Sequence, residues 1–190
     1  MYGGVYVIEI AEDYLVNEKT VLITGEYDQY GNLFSKVLEG NKIIYVKMPP
    51  IQLINLSLVR LGSSFIGARH SSKALLSGIR MHPITVNTSL GIWLFPSKSF
   101  GKSNCVWFSL MHVRGTKKNG LKKTIVQLSY GHTYEINMKE ASFNQKRKKA
   151  EELREIVIKH TKNPLTLYVE REKGIRVVEE EETVYWLDQD

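Results

Sequence analysis

The stretch that decides the fold is Ile84-Thr85-Val86-Asn87-Thr88-Ser89-Leu90-Gly91-Ile92-Trp93-Leu94-Phe95, near the middle of the chain. Two runs rich in β-branched and aromatic residues flank a five-residue segment, residues 87–91, that contains asparagine and glycine. β-Branched and aromatic residues favour strands, and short segments with asparagine and glycine favour the turn between two strands. The stretch therefore predicts an antiparallel hairpin.

Further strands are predicted on both sides of this hairpin, because similar apolar runs recur between turn-forming residues. Before it lie residues 5–10, 20–23 and 42–46; after it lie residues 105–113, 122–129 and 133–136. A basic turn is predicted at residues 114–120, and a short strand at residues 75–79. Most of the chain up to residue 136 is thus predicted to form a sheet.

Two segments have the periodicity of a helix instead. Apolar residues at positions 51, 53, 54, 58 and 61 fit one helical stripe that begins after Pro50. Phe143, Ala150, Leu153 and Val157 share one face of a second helix over residues 142–161, which Pro164 ends. The predicted fold class is α+β: an antiparallel β-sheet core with one middle helix and a long C-terminal helix.

The domain organisation follows from the end of that helix. Residues 1–163 are predicted to form a single domain, and residues 164–190 an acidic C-terminal tail. Residues 170–190 carry eight acids and three bases. The tail is therefore either mobile and self-repelling, or docked through its apolar residues.

The charge is unevenly distributed along the 190 residues, whose formal net charge is +6. Residues 40–134 hold thirteen Lys and Arg residues and no Asp or Glu. Burial in strands would exclude both signs of charge, whereas only acids are missing here. The asymmetry indicates a polyanionic partner, foremost a nucleic acid.

No catalytic or cofactor motif is found. The glycine pairs 62/67 and 115/120 lack the lysine and hydroxyl that a P-loop needs. The five histidines show no metal-ligand spacing, and the single cysteine, Cys105, is interpreted as a core or edge residue. We therefore predict neither an enzyme nor a bound metal or cofactor. One cysteine and no long apolar run favour a reducing intracellular compartment without a membrane span.

Six segments occur in a characteristic order: Ser57-Leu58-Val59-Arg60-Leu61-Gly62-Ser63-Ser64-Phe65-Ile66-Gly67-Ala68-Arg69, Pro83-Ile84-Thr85-Val86, Ile92-Trp93-Leu94-Phe95-Pro96-Ser97, Cys105-Val106-Trp107-Phe108-Ser109, His112-Val113 and Ser142-Phe143-Asn144-Gln145. Together they resemble the competence transcription factor (ComK) family of Gram-positive bacteria. The resemblance covers roughly residues 5–155. This chain departs from the family at Leu58, where family members often have a cysteine, and at Ala68, which interrupts the family's Gly-Arg pair.

The resemblance implies a cytoplasmic activator of competence-type genes, associated with the nucleoid when bound to DNA. Such proteins recognise paired A-rich and T-rich boxes of double-stranded DNA, largely from the minor groove. They bind as dimers that assemble into tetramers or other oligomers, and an adaptor delivers them to a Clp protease. Leu167 and Tyr168 match an adaptor-recognition segment. No cofactor is implied.

The candidate DNA-binding residues come from the acid-free region. Arg60 and Arg69, flanked by Ser63 and Ser64, are expected to enter the minor groove, since arginine suits a narrow A·T-rich groove. The remaining candidates are expected to contact phosphate: Lys73, Arg80, Lys98, Lys102, Lys117, Lys118, Lys122 and Lys123.

Two other functions remain open at this point. The chain could bind RNA or single-stranded nucleic acid without sequence preference, through aromatics such as Phe65, Trp93, Phe95, Trp107 and Phe108, although most of these are interpreted as core residues. Alternatively, it could be an adaptor module whose basic face binds an acidic protein, with its own acidic tail covering that face in the absence of a partner.

Overall fold

The computed structural model describes residues 7–162, 166–170, 174–178 and 184–187, with side chains described for residues 8–161. The strands are β1 (Val7–Ala11), β2 (Thr20–Tyr27), β3 (Leu33–Glu39), β4 (Lys42–Val46), β5 (Ile84–Asn87), β6 (Ile92–Pro96), β7 (Val106–Ser109), β8 (Val113–Asn119), β9 (Lys123–Leu128), β10 (Thr133–Ile136), β11 (Thr166–Glu170), β12 (Gly174–Val178) and β13 (Val184–Leu187). The helices are α1 (Pro50–Val59), α2 (Phe65–Leu75) and α3 (Glu140–Lys162), with two 3-10 turns at Leu110–His112 and Ser129–Gly131.

The main sheet has seven strands in the order β1-β4-β3-β2-β7-β6-β5. All neighbours are antiparallel except β1 and β4, which are parallel. The predicted hairpin is confirmed as β5 and β6, with Ile84 opposite Leu94. A second, three-stranded antiparallel sheet has the order β10-β9-β8. The predicted α+β class with a large antiparallel sheet and a long C-terminal helix is confirmed.

One face of the main sheet is buried by α1 and α2. Successive strand residues point to opposite faces, so Ile23, Leu94 and Trp107 belong to this face. They form one core cluster with Leu53 of α1 and Phe65 of α2. The cluster fixes both helices on the sheet and thereby positions the loop between them.

The opposite face of the same strands is buried by the start of α3. Phe95 and Phe108, the neighbours of Leu94 and Trp107 along their strands, are fully buried. Phe143 of α3 packs edge-on against both rings, with centroid distances of 5.6 and 5.1 Å. Tyr134 of β10 contacts Phe108 at 5.9 Å. The central strands are therefore covered on both faces.

The middle of the chain holds two helices where the sequence predicts one. The predicted helix over 51–61 corresponds to α1, which begins at Pro50 as expected. Gly62 then adopts a positive φ of 75°, a conformation that favours glycine and ends the helix. A second helix follows at once because the Ser64 hydroxyl accepts a hydrogen bond from the Gly67 N–H at 3.0 Å, which caps α2.

Several other details of the structure differ from the sequence-based predictions. Residues 75–79 do not form a strand, because Leu75 ends α2 and Leu76 is its C-cap. Residues 105–113 do not form one strand, since the turn at Leu110–His112 separates β7 from β8. The predicted turn at 114–120 is mostly strand β8, and β3 was not predicted. The sheet is also not wholly antiparallel, given the β1–β4 pair.

The chain divides into two compact units, residues 1–154 and 155–190. The first contains both sheets described above. The second contains the end of α3 and a three-stranded antiparallel sheet in the order β11-β12-β13, so strands occur in the segment predicted as an acidic tail. Among the described residues, no helix is long and apolar enough to cross a membrane.

We expect Phe143→Ala to destabilise the first unit strongly, because it removes a fully buried ring from the contact between α3 and the sheet. The loss in the free energy of unfolding should be about 3–5 kcal/mol, measured by urea denaturation. Lys148→Ala, an exposed change on the same helix, should stay within about 0.5 kcal/mol of the wild type. Equal losses for the two variants would show that Phe143 does not anchor α3.

Candidate nucleic-acid interface

Arg60, Ser63 and Ser64 lie in the connection between α1 and α2. Arg60 is the C-cap of α1, and its side chain is exposed. Ser63 is also exposed, whereas the half-buried Ser64 caps α2. The Asn55 side-chain oxygen accepts a further hydrogen bond from the Phe65 N–H at 2.9 Å. The connection is therefore fixed at both ends and presents Arg60 and Ser63 to solvent.

Arg69 lies one turn into α2 and is held by aromatic rings. Its guanidinium carbon is 4.2 Å from the centroid of the Phe100 ring and 5.9 Å from that of Phe65. Phe100 also packs edge-on against Phe65 at 5.4 Å, and Phe65 against Trp107 at 5.8 Å. Stacking on a ring orients a guanidinium while its N–H edge stays available to a ligand. No acceptor for that edge exists among residues 8–161.

Lys73 lies on the same side of α2 as Arg69, four residues further along the helix. Two like charges at this spacing repel each other. Both charges lower the pKa of His82, which burial lowers first. Arg69 and Lys73 thus create a positive potential at the segment that leads from α2 to β5, which contains His82. The exposed Arg80 lies in that same segment.

The loop between β6 and β7 carries Lys98, Phe100 and Lys102. The Lys98 backbone oxygen lies 3.3 Å from the Cys105 sulfur, and the Lys102 backbone oxygen accepts from the Cys105 N–H at 2.9 Å. Burial raises the pKa of the Cys105 thiol, so the thiol stays protonated and acts as a core group. Because Arg69 lies over the Phe100 ring, this loop and α2 form one continuous surface, which we call the α2 surface (Arg69, Lys73, Lys98, Phe100 and Lys102).

The other four candidate lysines lie on the β8–β9 hairpin. Lys123 is neutralised by Glu135, whose carboxylate lies 2.6 Å away and whose pKa this contact lowers. Lys117, Lys118 and Lys122 are exposed. Lys117 and Lys118 are neighbours on one strand, so their side chains point to opposite faces. No hydrogen bond, ion pair or ring contact of the described side chains joins these lysines to α2.

Few of the bases in the acid-free region are neutralised. Of its thirteen Lys and Arg residues, only Lys42, Lys47 and Lys123 pair with a carboxylate of the side-chain-described part of the chain. Arg114 instead donates a hydrogen bond to the Ser129 hydroxyl at 2.9 Å. The remaining charges are available to an external anion.

The histidine and acidic side chains outside this surface show no arrangement for catalysis or metal binding among the described residues. His112 makes a 2.7 Å hydrogen bond with the Glu18 carbonyl, and burial lowers its pKa. Within the described residues, no three His, Cys, Asp or Glu side chains could together hold a metal ion. Leu167 and Tyr168, the predicted adaptor segment, lie in β11, and their side chains are outside the described part.

Sequence reasoning missed Phe100, although it lies between two candidate lysines. An aromatic residue in a polar, basic loop was the available signal. The prediction for the large aromatic residues is confirmed. At most 5% of the surface is exposed in each of Phe65, Trp93, Phe95, Trp107 and Phe108, so they are core residues.

Comparisons with known proteins agree with one another. The family described as ComK protein matches residues 11–162. The chain is 33% identical over 132 residues to the competence transcription factor of Bacillus subtilis (strain 168). The matched stretch covers 70% of this chain and 68% of that protein. No solved structure matches. The extent of both matches shows that the chain belongs to the ComK family.

Proposed function

We propose that this protein is a transcription activator of competence-type genes that binds A/T-rich duplex DNA, largely through the minor groove. The observation that carries the proposal is Arg69, whose guanidinium is stacked on Phe100 with no acceptor among the described side chains. The competence transcription factor of Bacillus subtilis, to which the chain is similar, supports the role in transcription. The protein has no catalytic role in this proposal.

Arg69 is suited to a narrow groove because its side chain is already ordered. A narrow A·T minor groove concentrates negative potential and attracts arginine. A side chain that the protein has oriented in advance loses less conformational entropy on binding. Arg60 would enter the groove beside it, with Ser63 and Ser64 near the sugar-phosphate backbone.

The remaining candidates would contact phosphates on either side of the groove. On the α2 surface and the segment after it these are Lys73, Arg80, Lys98 and Lys102. On the hairpin they are Lys117, Lys118, Lys122 and Lys123. Lys123 would contribute least, because its ion pair with Glu135 must be broken before it can bind phosphate.

The single-strand alternative is weakened by the burial of the aromatic residues. Base stacking needs exposed rings, and the large aromatics of the acid-free strands lie in the core. Phe100 is 37% exposed, but Arg69 covers its ring face. An acidic protein remains a second kind of polyanion that the same surface would attract.

Partners and location follow from the family. The protein would act in the cytoplasm, on the nucleoid, as a dimer or tetramer on DNA. Residues 1–163 would be the DNA-binding domain and residues 164–190 a regulatory segment. Leu167 and Tyr168 would be recognised by an adaptor of a Clp protease.

Competition binding tests the proposal. Duplex DNA with A- and T-tracts should displace a labelled duplex better than either single strand or an acidic protein does. If about six to ten phosphates are neutralised, the affinity should fall by roughly 10³–10⁵ between 50 and 200 mM salt. Stronger competition by single strands, or binding that salt does not weaken, would contradict the proposal.

We expect Arg69→Lys to reduce the preference for A/T-rich over G/C-rich duplexes roughly tenfold, the scale of one lost base contact. Lysine keeps the charge but is more strongly hydrated and lacks the planar guanidinium. Arg114→Lys is the matched control, because Arg114 is bound to Ser129, and it should keep the preference. The test is to measure the affinity of each variant for the A/T-rich and the G/C-rich duplex. An unchanged ratio of the two affinities in Arg69→Lys would exclude Arg69 from groove recognition.

Phe100→Leu should weaken binding to A/T-rich duplex by roughly two- to fivefold, since a cation–π contact at such a site contributes about 0.5–1 kcal/mol. Phe100→Tyr keeps the ring face and should bind as the wild type does. Leucine preserves most of the apolar volume, so the pair separates ring stacking from packing. Equal affinities of the two variants, measured by fluorescence anisotropy, would show that the ring does not position Arg69.

A further inference from the structure

Lys146 occupies an unexpected position on α3. It lies three residues after Phe143 and four before Ala150, both fully buried. On a helix these spacings place the three side chains on one face, so Lys146 is on the side of α3 that packs against the protein. An ammonium group in such a place needs a partner, because burial disfavours its charge.

The partner that Lys146 has is a poor one. Its Nζ lies 3.4 Å from the sulfur of Met81, and a thioether is only a weak acceptor. The neighbouring bases are better matched: Arg147 pairs with Glu151 at 3.0 Å and Lys149 with Glu152 at 2.7 Å. No carboxylate among the described side chains pairs with Lys146. Burial lowers its pKa, as expected for a cation without an anion.

A cavity of about 290 Å³ opens at this lysine. It is lined by Ile79, Arg80, Met81, Ser142, Gln145, Lys146 and Lys149. Three of these residues are cations, of which Lys149 is already paired with Glu152. Ser142 and Gln145 can donate hydrogen bonds, and none of the lining residues is an acid. Ser142 lies in the first turn of α3, where the helix dipole also favours an anion. Charge and donors together match a phosphate group.

The cavity adjoins the proposed DNA-binding region. Its wall is the segment from α2 to β5, in which Arg80 and Met81 precede His82. Three residues of this segment line the cavity, and the segment begins where α2 ends, two residues after Lys73. It therefore connects the end of α2 with the cavity.

We propose that this cavity is a phosphate-binding site in which Lys146, with Arg80, holds one phosphate group of DNA bound to the α2 surface. The choice of DNA as the source rests on the function proposed above. A free phosphate compound offers the same chemistry and is distinguished by the test. Binding supplies the anion that Lys146 lacks, beside the half-buried apolar side chains of Ile79 and Met81.

The first test is the salt dependence of duplex binding by the full chain. Lys146→Met keeps the unbranched side chain and removes the charge, and it should reduce the slope of log affinity against log salt by about one. Lys148→Met, an exposed lysine outside the cavity, is the matched control for the site. Wild-type slope in Lys146→Met would exclude a DNA phosphate from the cavity.

Folding does not obscure this test. Lys146→Met replaces a poorly partnered cation on the inner face of α3 with an apolar side chain, so its denaturation midpoint should equal or exceed that of the wild type. Lost binding at unchanged or higher stability then reflects the missing charge. A midpoint well below that of the wild type would contradict the view that Lys146 lacks a partner in the folded chain.

The second test measures Lys146 itself. Lysines carrying ¹³C-labelled methyl groups are observed by NMR, and the Lys146 resonance is the one lost in Lys146→Met. Duplex DNA or millimolar inorganic phosphate should raise its pKa towards the ordinary value. A rise with both, or with DNA alone, supports the site with DNA as the source; a rise with inorganic phosphate alone supports a site for free phosphate; no rise with either overturns the proposal.

The two proposals can fail separately. A wild-type chain that binds no duplex at all would contradict the proposed function, and the inorganic phosphate measurement would still decide whether the cavity holds an anion. Conversely, a chain that binds duplex with no change at Lys146 would leave the α2 surface as the interface and remove the cavity from it.

Discussion

The structure depends on a sheet whose central strands are buried on both faces. Neighbouring residues such as Trp107 and Phe108, or Leu94 and Phe95, point to opposite sides and are all buried. One side is covered by α1 and α2, and the other by α3. Strands enclosed in this way have no room for charge, so the bases of the acid-free region lie outside them, in helices, loops, the β8–β9 hairpin and strand β4. The segment that builds the core thus also supplies the positive surface.

The same rings that build the core also order that surface. Trp107 packs against Phe65, Phe65 against Phe100, and Phe100 lies under Arg69. This chain of contacts runs from the interior of the sheet to the guanidinium of the half-buried Arg69. Arg69 is therefore positioned by packing and not by an acidic partner, which would compete with a bound anion. A surface without acids can be both ordered and available only if uncharged groups hold its cations in place.

The sequence predicts the parts of this fold that depend on local patterns. The β5–β6 hairpin, α1 and α3 follow from periodicity and turn residues, and the family follows from ordered motifs. Helix α2 was missed because Gly67, Ser71 and Ser72 disfavour a helix locally, whereas the Ser64 cap and the burial of Phe65 stabilise it. Strand β8 was missed because its lysines and glycine are typical of a turn, whereas pairing with β9 imposes an extended backbone.

The candidate site was predictable in its charge but not in its contacts. The absence of acids over residues 40–134 indicates a polyanion from composition alone. Contacts between residues distant in sequence cannot be read in the same way. Arg69 and Phe100 belong to different elements, as do Met81 and Lys146, and each pair meets only because α2, the loop and α3 pack on one sheet. Pairing of Lys123 with Glu135, which lies just outside the acid-free region, is likewise a consequence of strand register.

Stability and binding place opposite demands on the two helices that carry these cations. Arg69 and Lys73 repel each other along α2, and Lys146 turns a charge towards the inner face of α3. Each arrangement costs some folding free energy, and each cost is reduced when an anion arrives. The fully buried contacts of Phe65 and Phe143 lie on the same helices and offset those costs. Helices anchored by one large ring can therefore carry cations that are unfavourable until a ligand binds, which couples the strength of the core to the charge that the surface can hold.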